Sequence, residues 1–259
     1  MRLITWNVNS IRVRIDQVLE LLEEHRPDAL CLQELKVADE DFPSERIADA
    51  GYQAHIAAQP TYNGVAILTR EPLESASTGF DDGGEEDPQQ RITRGVVNGV
   101  RIINLYVPNG ESTTSEKYEY KLSWIERLFR MLDDQEEPGV PTAIVGDFNI
   151  APTDLDVYNP ARWNGKVLCS EPERAAFQRL LDWGFEDCLR KHHPDDVTYS
   201  WWDYRFDMFR KKKGLRIDHI LATGPLARHS TACRVDTRLR GAARPSDHAP
   251  VVADFDLPS

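Results

Sequence analysis

Six times in this 259-residue chain an apolar, strand-like run stops on a side chain that can do chemistry. The runs are RLITWN, ending at Asn7, DALCLQE, ending at Glu34, and RIINLY, ending at Tyr106. TAIVGDFN carries Asp147 and Asn149, LRID ends at Asp218, and SDH places Asp247 and His248 just before APVVADF. A buried strand delivers its terminal group to one edge of a sheet. Six such deliveries would gather four carboxylates, two carboxamides, a phenol and an imidazole. That set is an oxygen-rich pocket for a hard divalent cation with a general base beside it. It points to metal-assisted phosphoester hydrolysis.

The rest of the composition leaves that reading room. The length suits one large domain or two small ones, and the apolar and aromatic content is ordinary for a globular core. No run approaches the roughly 20 apolar residues needed to span a bilayer, and the first residues, broken by Asn7 and Asn9, do not read as a signal peptide. Cys31, Cys169, Cys188 and Cys233 are far apart and form no paired metal spacing. Scattered thiols fit a reducing cytoplasm, with Cys31 in the core. The net charge of −12 argues at first sight against a polyanionic substrate. From Lys191 onward, however, 12 Lys/Arg face 9 Asp/Glu, and five of the seven histidines fall there. A local basic surface can meet phosphates while acidic faces elsewhere keep the chain soluble.

Strand-like and helix-like segments alternate throughout, with no linker and no fixed repeat. Residues 10–25 read as a helix with Ile11, Ile15, Val18, Leu19 and Leu22 on one face, stopped by Pro27. Residues 28–33 and 64–69 read as short buried strands. Within 95–107, Asn98-Gly99 marks a tight hairpin turn. A long helix over about 114–136 carries Tyr118, Leu122, Ile125, Phe129 and Leu132 as one stripe. Ser170 and Glu173 form a capping box for a helix that runs to Gly184. Acidic residues 81–87 read as a solvated loop. Mixed hairpins and crossovers predict two sheets packed face to face with helices outside, in a single α/β domain over residues 1–259.

Each candidate group has a plain structural reading beside the chemical one. Alternation in a strand would point Asp147 and Asn149 the same way, with Phe148 opposite. Asp147 could then take a proton from water while Asn149 holds the attacking oxygen. Two prolines stiffen the loop around Asp247 and His248, and adjacent side chains diverge, so these two should serve different partners. Asp218, on a strand over 215–221, could fix the tautomer of His248. Glu34 ends a buried strand, an expensive place for an acid unless a cation or partner meets it. Tyr106 could donate to a phosphate or simply pack, and Asn109 or nearby backbone N–H groups could cradle phosphate. The tract WWDYRFDMFRKKK (201–213), with Trp201 and Arg205, interleaves rings and cations in the manner of a nucleic-acid surface.

These residues carry a family likeness. The chain resembles the exonuclease III-type abasic-site endonucleases of the endonuclease/exonuclease/phosphatase superfamily. The likeness runs through ITWNVNSIR (4–12), LCLQELK (30–36), NGVAIL (63–68), LYVPNGES (105–112), VGDFNIAPTDLDVYNP (145–160), SWWDYR (200–205), GLRIDHILAT (214–223) and PSDHAPVVADF (245–255). It is this ordered set, and no single motif, that is specific. The resemblance implies a four-layered α/β sandwich, DNase I-like, with the site at the strand ends. It implies a Mg²⁺ or Mn²⁺ enzyme that acts on double-stranded DNA, cuts 5′ to abasic sites, clears blocked 3′ ends and degrades one strand 3′ to 5′. The expected protein is a cytoplasmic monomer with no membrane association.

Carried over by motif, Glu34 is a metal ligand with Asn7 beside it, and Asp247 contributes directly or through water. Asp147 activates or positions the water and Asn149 orients it or the transition state, and both, with His248, are expected among the metal-binding residues. His248, paired with Asp218, and Tyr106 face the scissile phosphate. Trp201, Leu215 and Ile217 match positions that line the pocket for an abasic sugar. Asn9 stands where other relatives carry Asp, which leaves one metal or two open. Two further readings compete. The same core on another phosphoester would make a phosphatase of inositol phosphates or a sphingomyelinase, which the tract at 201–213 disfavours. A non-catalytic RNA regulator on this fold would have lost catalytic groups, and here every candidate is in place.

Overall fold

The computed structural model describes residues 1–258; Ser259, the last residue of the expected domain, lies outside them. The strands are β1 (Arg2–Asn7), β2 (Ala29–Gln33), β3 (Gln53–Ala57), β4 (Val65–Thr69), β5 (Glu74–Thr78) and β6 (Ile92–Val97). They continue as β7 (Val100–Tyr106), β8 (Thr142–Asp147), β9 (Phe185–Asp187), β10 (Asp218–Thr223), β11 (Ser230–Val235) and β12 (Val251–Phe255). The helices are α1 (Ile11–His25), α2 (Ser44–Asp49), α3 (Glu116–Gln135), α4 (Pro160–Trp163), α5 (Glu171–Trp183), α6 (Cys188–His192) and α7 (Gly224–Ala227). Among the described residues no helix is long and apolar enough to cross a membrane.

Two six-stranded sheets form, ordered β11-β12-β1-β2-β4-β3 and β5-β6-β7-β8-β10-β9. Each is centred on one parallel pair, β1 with β2 and β7 with β8. Such pairs need a crossover, which α1 and α3 provide. Antiparallel strands flank both: β12 against β1 and β10 against β8. The C-terminal ends of the parallel strands therefore share an edge with the N-terminal ends of β10 and β12. This geometry collects the six polar ends.

Side-chain alternation sorts the core into layers. Leu3, Ala29, Cys31, Ile102, Ala143, Val145, Ile220 and Ala253 point between the sheets and pack as one cluster. Ile4, Trp6, Leu30, Leu32 and Val252 point the other way, under α1. Ile103, Leu105, Ile144, Phe148 and Leu221 do the same under α3 and α5. The result is a four-layered α/β sandwich, as the sequence pattern and the resemblance imply. Toward the site the inner layer turns polar: Gln33 Nε2 donates to Thr5 Oγ1 (2.9 Å) and, across the sheets, to Asn104 Oδ1 (2.7 Å). One alternation step further out on their own strands sit Asn7, Tyr106 and Asp147. The site is the polar end of the inter-sheet core.

Some local expectations shift. The hairpin begins at Ile92, not at 95, with Asn98 and Gly99 both at positive φ in its turn. The strand expected over 215–221 runs Asp218–Thr223, so Asp218 opens it rather than lying within it. Leu122 is only half-buried; the packed face of α3 is instead Tyr118, Lys121, Trp124, Ile125, Leu128, Phe129, Met131 and Leu132. This face is wider than a single stripe because it meets both the sheet and α5. The acidic loop is exposed over 81–86 yet docked on α3. Arg127 grips Asp82, while Trp124 Nε1 and Tyr120 Oη donate to Asp87.

Candidate active site

Asp147 is the hub. It ends β8 with 1% exposure and lies directly opposite Asp218 in the strand register. Gly146 beneath it adopts φ +140, and a Cβ there would lie 1.9 Å from Leu105 O, so only glycine lets β8 pass. Asn7 Nδ2 donates to Asp147 Oδ2 (2.9 Å) and to Glu34 Oε1 (2.7 Å). Tyr106 Oη also donates to Glu34 Oε1 (3.0 Å), and Lys36 Nζ lies 2.7 Å from Glu34 Oε2. Asn9, Glu34, Lys36 and Asn149 all have positive φ without being glycine. Such strained backbone persists only where the surroundings enforce it, and it clusters at functional sites.

His248 lies across the cleft. Its Nδ1 is 2.9 Å from Asp218 Oδ2, and its Nε2 faces Asp147 Oδ2 at 3.8 Å. Ser200 Oγ donates to Asp218 Oδ2 (2.6 Å) and accepts the Asp218 N–H, so the carboxylate that orients the imidazole is itself fixed. Burial alone would lower the imidazole, but Asp218 and Asp147 outweigh it and push His248 up to about 10. Burial raises Asp147 to about 7, with His248 opposing. Burial, then Glu34 and Asp147, hold the Tyr106 phenol well above its ordinary value, which keeps it a donor. Arg91 stacks over that ring at 4.6 Å and binds the Tyr106 carbonyl oxygen.

Ligand atoms of Glu34, Asp147 and His248 all lie within 4.8 Å of one another. Hard carboxylate oxygens this close, with one carboxyl raised by burial, fit a divalent cation whose charge would relieve their crowding. The other expected ligands stand differently. The Asn7 amide nitrogen faces the two carboxylates, while its oxygen accepts the Asn9 N–H. Asn149 turns away from strand alternation at φ +51. Its Nδ2 donates to Val107 O, and its Oδ1 accepts from Asn109 Nδ2 (2.8 Å). Asp247 falls outside the three-residue cluster: Asn9 Nδ2 and Trp201 Nε1 donate to its two oxygens. Asp247 and His248 thus serve different partners, as adjacent side chains must.

The tract at 201–213 divides between surface and core. Trp202 is buried against Phe209 and Tyr199, so it is packing material. Phe206, at 75% exposure, and Lys211–Lys213 face solvent. Arg205 is exposed but folded back onto Asp203. Leu215 and Ile217 are 0% and 2% exposed, beneath Trp201 and Val157. The half-buried Trp201 ring is the part of this group that reaches the surface; Leu215 and Ile217 do not. Lys36, Ser200 and Arg91 were not singled out in the sequence. Lys36 lies two places past Glu34 and Ser200 just before Trp201, but neither interrupts a pattern.

The chain is similar to known proteins over nearly its whole length. The model of the Endonuclease/Exonuclease/phosphatase family matches residues 4–248. Exodeoxyribonuclease III of Haemophilus influenzae is 38% identical over 98% of this chain and 100% of its own length. The 3′ phosphatase NExo from Neisseria, solved bound to a product DNA hairpin, is 44% identical with a TM-score of 0.95, covering 99% of this chain and 100% of that one. An AP endonuclease from Archaeoglobus fulgidus superposes equally well (TM-score 0.95, 40% identity, covering 99% and 100%).

Proposed function

The chain belongs to the endonuclease/exonuclease/phosphatase family, and we propose that it serves there as a metal-dependent DNA repair nuclease that processes 3′ ends. It clears 3′-phosphates and other blocking groups, degrades one strand 3′ to 5′, and cuts the backbone 5′ to abasic sites in duplex DNA. The observation that carries this reading is the buried Asp147 carboxyl. It is held between the Asn7 amide and the His248 imidazole, beside Glu34.

Glu34 and Asp147 would hold Mg²⁺ or Mn²⁺, with Asp247 contributing through water. Bound there, the cation supplies Lewis-acid stabilisation of charge on the phosphoryl and leaving oxygens. The protein's own groups do the rest. Asp147 accepts the proton of the attacking water, which places a base at the hub of the site. His248, kept protonated by Asp218, donates to a non-bridging phosphoryl oxygen as charge builds on it. Tyr106 and Asn109 donate to the same phosphate. Water attack on a diester severs the backbone, and the same attack on a 3′-monoester releases phosphate, so one site performs each reaction. Trp201 walls the sugar at a lesion, Arg205 and Lys211–Lys213 meet flanking phosphates, and the protein acts as a monomer. The four cysteines are all free and buried, which fits a reducing cytoplasm.

Labelled duplexes carrying an abasic site, a recessed end or a 3′-phosphate, each incubated with and without Mg²⁺, test the reading. Metal-dependent product from at least one is expected, and the rank order sets the dominant activity. No product from any of them, with phosphate released from a phosphoinositide, would transfer the site to the phosphatase reading.

A further inference from the structure

We propose that the buried Lys121 ammonium, braced by Glu173, is a positioning residue that locks the two loops carrying Asn109 and Asn149. Lys121 and Glu173 side chains are both 0% exposed and form an ion pair between α3 and α5. All three ammonium hydrogens find acceptors: Glu173 Oε1, Asn149 O at 2.7 Å and Asn109 O at 3.2 Å. The other buried residues on this face of α3 are aromatic or aliphatic. A buried ion pair is weak evidence of stabilisation, since well-packed apolar side chains of similar volume commonly do as well. What an apolar residue cannot do is hold two loop carbonyls at once.

The backbone it holds is strained. Asn149 sits at φ +51, where a side-chain-bearing residue needs outside support. Its N–H donates to Asp147 Oδ1 (2.9 Å) and its carbonyl accepts from Lys121, so the peptide is gripped from both sides. Asn109 closes the ring by donating from Nδ2 to Asn149 Oδ1. The next residue, Gly110, packs against the lysine stem itself; a Cβ there would come within 3.3 Å of Lys121 Cδ and 3.2 Å of Tyr118. On the far side Glu173 accepts from Leu168 N and from Ser170 N and Oγ. The strut therefore ties α3, α5 and both loops to the strand end that carries Asp147. Without it, Asn149 can relax toward ordinary φ and take Asn109 with it.

This inference rests on Asn109 acting at the scissile phosphate with Asn149 holding it in place, and the test separates the two ideas. Purified Lys121→Met, Lys121→Met/Glu173→Gln and Asn149→Ala are assayed on a 3′-phosphate duplex beside the parent. The double variant removes both charges at nearly constant volume and so keeps the fold where the single variant leaves an unpaired buried carboxylate. A displacement of about 1 Å can cost roughly 100-fold, so the double variant should lose roughly 10- to 100-fold in kcat with little change in KM. Its circular dichroism should match the parent's. Parent-like kcat in the double variant, beside a crippled Asn149→Ala, overturns the proposal alone. Parent-like kcat in Asn149→Ala overturns the reading on which it rests. On the unmodified protein, scalar coupling across the hydrogen bond from Lys121 Nζ to the Asn149 carbonyl carbon is expected, and its absence overturns the proposal whatever the variants do.

Discussion

At the residue scale the site separates two tasks by environment. Asp147 is raised by burial among other carboxylates, while His248 is raised because two of those carboxylates face it. Asp147→Ala and His248→Ala should each lower kcat by about 100-fold or more with folding intact, since each removes a group proposed to act in proton transfer or charge stabilisation. Near-normal cleavage of an abasic duplex by either variant removes that assignment. The His248 shift also carries a sign. A free imidazole titrates near 6.5, so the pairing with Asp218 stabilises the fold fully below that value and fades as pH climbs toward about 10. Metal-free protein should lose melting temperature through this window, and His248→Asn should flatten the decline. A parent profile that is already flat would show the pairing to be energetically idle. Asn7, Glu34, Tyr106, Asp147 and Asp218 were legible because each ends or opens an apolar run. Lys36, Ser200 and Lys121 were not, because a polar residue within a loop or on a helix looks like any other until its neighbours are known.

At the scale of elements, β8 and the turn after it do the most demanding work. Phe148 points away from the site and packs edge-on to Phe177 and His219, with ring centroids 6.0 and 5.3 Å away. Truncating it leaves a cavity under the base of the site. Phe148→Ala should cost about 3–5 kcal/mol in urea unfolding, near the range for buried aromatics, and a loss below 1 kcal/mol would mean that this layer repacks freely. The long helix shows where periodicity misleads. Apolar spacing placed Leu122 in the buried stripe and passed over Lys121, because a charged residue reads as solvent-facing. Two surfaces press on α3, so its covered face includes the lysine. The capping box at Ser170 and Glu173 forms as the sequence implies, yet Glu173 also anchors that lysine. Local sequence predicted the first role and could not contain the second.

Across the whole molecule, charge crowding at one end of the sandwich links cation binding to stability. Mn²⁺ added to metal-free protein should raise its melting temperature in a saturable way, because a ligand that binds only the folded state stabilises it by mass action. The gain should vanish in Asp147→Ala; an equal gain there would place the binding site elsewhere. The cysteines make a second global test. All four are buried, and burial pushes each thiol upward, Cys169 to about 12. An aromatic disulfide reagent at pH 8 should therefore modify none in the native state and four after denaturation. Rapid reaction of one thiol in native protein would expose an opening that the packing does not predict.

The sequence by itself determined which residues border the apolar runs, that the central strands are buried on both sides, and that acids, amides, a phenol and an imidazole are the available chemistry. Those facts follow from local periodicity, which each segment carries alone. Only the tertiary structure decided which of them touch. It placed β10 and β12 antiparallel to the central pairs, so that their first residues meet the others' last. It turned Asn149 by backbone strain rather than by alternation, and it sank Leu215 and Ile217 beneath Trp201. Contacts such as Asp147 with Asn7, 140 residues apart in the chain, arise from sheet order and packing, and no local pattern encodes them.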